Sequence, residues 1–127
     1  HNYKVATKYG FMGLEHEWNR DGYIEDYDQI DSIAYLMNVW MKYPKFGFGR
    51  TTDVVGYWIR GGKITIDEGK KLILEHDHKL DRRILEDFLA FTGYSYREFW
   101  NIVDKFYNKD LFLKGKDGLW EMKVNRF

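Results

Sequence analysis

From Asp28 to Phe106 the apolar residues recur at helical spacing in one run after another, each bracketed by start and stop signals. No stretch alternates long enough to build a sheet. Asp28 is placed to cap a segment whose apolar positions Ile30, Ile33, Ala34, Met37, Trp40 and Met41 share one face, with Pro44 just beyond its end. Thr51 or Thr52 then caps a short helix carrying Val54, Val55, Trp58 and Ile59, which Gly61-Gly62 ends. Thr65, with Glu68 three residues on, is a capping box opening a helix to about Glu75. Residues 82–92 form another, with Leu85, Phe88 and Leu89 inward and Gly93 as the stop. Ser95 and Glu98 are a second capping box, ahead of Phe99, Trp100, Val103 and Phe106. The expectation is an all-α, compact domain of about five helices spanning 1–127. Residues 1–9 read as the tail of an earlier helix. Residues 108–127 scatter Leu111, Leu113, Leu119 and Trp120 around Gly115 and Gly118, which predicts an irregular tail, either loop or short hairpin.

A chain of 127 residues fits one domain and buries an ordinary core. Its 20 Lys+Arg against 20 Asp+Glu give a formal net charge of zero, which argues against a generic nucleic-acid binder. No run approaches the roughly 18 apolar residues of a membrane span, and no secretory signal pattern opens the sequence. The absence of cysteine excludes a disulfide framework, a thiolate metal site and a cysteine nucleophile, and cytoplasm is the natural compartment. The sequence starts at His1-Asn2-Tyr3 and its first methionine is Met12, so it reads as a piece of a longer protein.

The least ordinary stretch is Lys45-Phe46-Gly47-Phe48-Gly49-Arg50, followed by Thr51, Thr52 and Asp53. Glycines let backbone approach a ligand, and N–H groups at a helix start favour an anion. Lys45 and Arg50 are suited to hold a phosphate or carboxylate, Arg50 in bidentate fashion. The competing explanation is a tight helix connector with Phe46 and Phe48 packed inward. The trios Glu15-His16-Glu17 and His76-Asp77-His78 lack any recognised metal-ligand spacing, so solvated surface is expected there and no metal site. Glu25, Asp26, Asp28 and Asp31 crowd together, and negative charge at a helix start explains them without catalysis. The aromatic stripe Phe99, Trp100 and Phe106 is expected in the core. No catalytic triad can be drawn from spacing, and no phosphate-cradling P-loop is present.

Several segments together carry a family resemblance. Trp18-Asn19-Arg20-Asp21-Gly22-Tyr23-Ile24-Glu25-Asp26-Tyr27-Asp28 and Lys45 to Asp53 resemble the C-terminal part of bacterial N-acetyl sugar amidotransferases, the WbpG- and PseA-like proteins of lipopolysaccharide and pseudaminic acid biosynthesis. So do Arg60-Gly61-Gly62-Lys63-Ile64-Thr65 and Leu85-Glu86-Asp87-Phe88-Leu89 with Glu98-Phe99-Trp100. The likeness runs from about Gly13 to Phe106, and Lys45 to Asp53 is its most specific part.

The resemblance implies an ATP-dependent parent enzyme of the PP-loop pyrophosphatase class. Such an enzyme adenylates the acetamido oxygen of a surface-polysaccharide sugar, and ammonia then displaces AMP to give an acetamidino group. It further implies ATP with Mg for the parent and ammonia from glutaminase/cyclase-like subunits. The PP-loop motif would lie in an N-terminal domain of the same chain. These residues lack it, so no ATP is expected to bind here and no turnover is expected from this piece alone. The implied role is substrate and anion binding. Lys45 and Arg50 would hold the anion, and Gly47 and Gly49 would shape the backbone. Thr51 or Thr52 would cap and hydrogen-bond, Asp53 would orient Arg50 or accept a sugar hydroxyl, and Trp18 and Arg20 would form a sugar-facing wall. A different reading of the aromatic content is a docking module for the glutaminase partner or for a second copy.

Overall fold

The computed structural model describes residues 2–30 and 32–127; His1 and Asp31, the latter a member of the acidic cluster, lie outside it. Among the described residues the chain is helical, with one small antiparallel pair of strands. The helices are α1 (Asn2–Lys8), α2 (Ile33–Trp40), α3 (Lys42–Phe46), α4 (Arg50–Arg60), α5 (Ile66–His76), α6 (Arg82–Thr92) and α7 (Tyr96–Val103). The strands are β1 (Phe112–Lys114) and β2 (Trp120–Met122), in the register Phe112 opposite Met122 and Lys114 opposite Trp120. Residues 108–127 thus hold a short hairpin.

Local chemistry accounts for most boundaries. Thr65 and Ser95 each accept a bond from the backbone N–H three residues on, while Glu68 and Glu98 reach back to the cap residue's N–H. Asp81 caps α6 by accepting from the N–H groups of Arg83 and Ile84. Gly93 ends α6 in the left-handed conformation, φ 75°. The cap of α2 is Ser32, not Asp28. Pro44 does not stop the helical path either, because it sits at the third position of α3. An N–H in a first turn has no intrahelical partner, so proline costs nothing there, and one break at Met41 separates α2 from α3.

Two packings make the core. Leu36, Met37 and Trp40 of α2 meet Ile84 of α6 and Phe99 and Val103 of α7, with Phe88 and Leu89 against them. α5 lies on α4 so closely that a Cβ on Gly69 would come within 2.7 Å of the Val55 side chain and 2.8 Å of Ile59. The hairpin buries Phe112 against Tyr43 and Tyr107, whose rings meet it edge-on at 5.4 and 5.1 Å. Phe106, expected in the core, is instead half exposed, and so is Phe46.

Candidate functional site

Residues 18–29 form a loop without regular structure that lies across the start of α4. It is held by buried charge. Arg20 is 4% exposed, its guanidinium 4.3 Å from the centre of the Tyr23 ring, and it donates to the carbonyls of Glu25 (3.0 Å) and Gln29 (3.3 Å). Burial lowers the pKa of Arg20, and nearby carboxylates oppose that shift. Gln29 takes the left-handed conformation at φ 52°, a strained choice for a residue with a Cβ, with its carbonyl accepting from Arg20. At the end of the loop Asp28 takes both donors of the Arg50 fork, Nε at 2.6 Å and Nη2 at 2.8 Å. That bond holds the Arg50 pKa well above its usual value.

Asp28 is therefore a buried counterion rather than a helix cap, and Arg50 is committed to it. Asp53 is a lesser partner, 3.7 Å from Arg50 Nη1, and pairs with Lys42 at 2.6 Å. Lys45 lies over the Phe106 ring at 5.1 Å, so it and Arg50 bind different groups in place of one anion.

The helix start at α4 is filled from within the chain. Its cap residue is Gly49, neither threonine. The Asp77 carboxylate accepts from Gly49 N–H (2.8 Å), Thr52 N–H (3.0 Å) and Thr52 Oγ1 (2.7 Å), and pairs with Arg126 at 2.8 Å. Arg126 also donates to Thr52 Oγ1 at 3.0 Å, while Thr51 is fully buried and donates to the Gly22 carbonyl. The glycines admit protein: a Cβ on Gly49 would lie 2.7 Å from the Asp77 carbonyl, and one on Gly47 (φ 77°) 2.9 Å from Met122. An anion does occupy the N-terminus of α4, as its N–H groups and dipole favour, but it is Asp77. With those donors engaged, this turn does not fit a nucleotide phosphate. Asp77, expected as solvated surface, has a side chain only 1% exposed.

What opens to solvent is the other side of the loop. A groove of about 560 Å³ runs between the loop and the end of α4, walled by Trp18, Arg20, Tyr23, Glu25, Trp58 and Lys63. Glu25 Oε1 accepts from the Tyr27 hydroxyl (2.7 Å) and from Trp58 Nε1 (2.8 Å), which leaves Oε2 for a ligand. Lys63 lies 3.5 Å from the centre of the Trp58 ring. Burial raises the Asp26 pKa, helped by a hydrogen bond with Glu15, while hydrogen bonding with the backbone lowers Glu15. Trp18 and Arg20 thus line the same groove. Glu25, Trp58 and Lys63 were not singled out as ligand contacts, because only the tertiary fold carries Trp58 over to the loop. Among the described residues no three metal-ligating side chains converge.

No curated protein matches the chain. Residues 1–125 match the family described as LPS biosynthesis protein WbpG-like, C-terminal domain. With nearly its whole length inside that match, this chain belongs to the WbpG-like C-terminal domain family.

Proposed function

We propose that these residues form the C-terminal domain of an ATP-dependent N-acetyl sugar amidotransferase acting in the cytoplasm in lipopolysaccharide biosynthesis, and that the groove between Trp18 and Lys63 receives the sugar. The observation that carries the reading is Glu25. Its carboxylate is fixed by two donors on one oxygen, the other has no partner among the described residues, and aromatic rings share the groove wall with it. A sugar ring needs that combination: aromatic faces for its C–H side and a fixed acceptor for its hydroxyls. Carboxylates at Glu15, Glu25 and Asp26 outnumber the cations Arg20 and Lys63 along the walls, so the groove favours hydroxyls over a pyrophosphate.

The Lys45–Asp53 segment serves this site from behind. Arg50 fixes Asp28, Thr51 fixes Gly22, and both ties set the path of the loop that carries Trp18 and Arg20. ATP with Mg, bound by an N-terminal PP-loop domain of the same chain, supplies activation of the acetamido oxygen, and a glutaminase/cyclase-like partner supplies ammonia. Residues 1–127 position the sugar and do not turn over ATP by themselves. In the full-length protein, Glu25→Gln and Trp18→Ala should each raise the sugar KM by about tenfold, the worth of one hydrogen bond or stacking contact, with ATP KM unchanged. An unchanged sugar KM in folded variants removes the groove from the site.

A docking role has its own support in the exposed aromatics around the α6–α7 connection, Phe91 (80% exposed) near the end of α6, Tyr94, and Tyr96 at the start of α7. Titrating the full-length protein against the ammonia-supplying subunits without sugar tests it. Micromolar binding that Phe91→Ser abolishes would establish that role; no binding would dismiss it.

A further inference from the structure

A cavity of about 980 Å³ lies away from the loop groove, between α5, α7 and the hairpin, and the segment Val124–Arg126 forms part of its wall. Its size is near the upper end of small-molecule sites, so a single ring would leave most of it empty. Aromatic rings dominate one side: Trp100 of α7, and Tyr107 stacked on Trp120 at 4.7 Å and 9°. The two cations facing the cavity are neutralised within the protein, Lys114 by Asp104 and Arg126 by the buried Asp77. An incoming phosphate would have to break one of those pairs, which disfavours an anionic ligand.

Polar groups within the lining disfavour a lipid tail as well. Trp100, which lines the cavity, also holds the one buried side-chain nitrogen or oxygen without a partner among the described residues, its Nε1. Asn101 adds an exposed amide to the same lining, and burial pushes the Tyr107 hydroxyl up to about 12, so it stays a donor. A hydrocarbon would cover the Asn101 amide and the Tyr107 hydroxyl without pairing them, whereas ligand hydroxyls would bond to them.

We propose that this cavity is a second ligand site, and that it takes an uncharged saccharide of two or three rings, stacked on the aromatic side and hydrogen-bonded through Asn101 and neighbouring donors. The site is separate from the groove at Trp18 and stands without it.

The test is isothermal titration of the full-length protein with triacetylchitotriose, maltotriose, uridine and inorganic pyrophosphate. At least one trisaccharide should bind, and Asn101→Ala and Tyr96→Ala, both at exposed positions where folding is not at risk, should weaken it fivefold or more. Trp18→Ala should leave the binding of maltotriose, which carries no acetamido group for the other groove, unchanged. The proposal is overturned if neither trisaccharide binds at millimolar concentration. It is equally overturned if uridine or pyrophosphate binds in a manner sensitive to Asn101, or if trisaccharide binding survives both cavity substitutions.

Discussion

Arg50 and Asp28 show why a substitution at a motif residue must be read through its partner. Asp28 is 9% exposed and receives both prongs of the arginine. Arg50→Ala would leave that carboxylate without its countercharge, so a loss of activity alone would not tell ligand contact from misplacement of the loop. The expected order is that Arg50→Ala costs about 3 kcal/mol of unfolding free energy, while Arg50→Ala with Asp28→Asn costs clearly less. Urea denaturation of the single and double variants measures both. Equal costs would mean that the pair does not act as a unit. Gln29 adds to the same loop in another way: its left-handed backbone is held by a carbonyl that Arg20 grips, and no neighbouring glycine relieves it.

The helices are as stable as their ends. Glu68 has its pKa lowered from 4.5, first by the bond from the Thr65 N–H and then by the Thr65 hydroxyl. A depressed folded value means that the stabilisation is complete above pH 4.5 and is lost as pH falls through the lower folded value. Glu68→Ala should therefore flatten the acid limb of the stability curve contributed by α5, whereas Thr65→Ala, which keeps the backbone N–H, should flatten it only in part and cost the usual N-cap value of about 1 kcal/mol at pH 7. Thermal melts between pH 3 and pH 7 check this; an acid limb unchanged in slope would detach Glu68 from the cap. These ends were also the most legible part of the sequence, because Thr65-x-x-Glu68 and Ser95-x-x-Glu98 specify their bonds within four residues. The faces of Met37, Trp40, Phe99 and Val103 were readable for the same local reason. The cap of α4 was not, since Asp77 reaches it from 28 residues away, and Asp28 looked like a cap because its true partner is 22 residues ahead. Trp18 and Arg20 were found through the family pattern, while Glu25 and Trp58 needed the fold to meet across 33 residues.

At the scale of the whole molecule, the residues nearest the C-terminus complete a structure begun near the middle. Arg126 joins Asp77 to Thr52, linking the tail to the end of α5 and the start of α4. Arg126→Ala should lower the urea midpoint by the equivalent of about 3 kcal/mol, with Arg126→Lys recovering only part, since an ammonium lacks the fork that reaches both partners. Full recovery by lysine would show that charge alone matters. The arrangement also has a consequence during synthesis. Thr52 and Arg126 are separated by 74 positions, so a nascent chain that has emerged only as far as α7 carries a desolvated carboxylate with no cation to meet it. Its lowest free energy is reached only when translation has delivered the arginine, and a ribosome stalled upstream of residue 126 would expose a loosely closed intermediate to proteases.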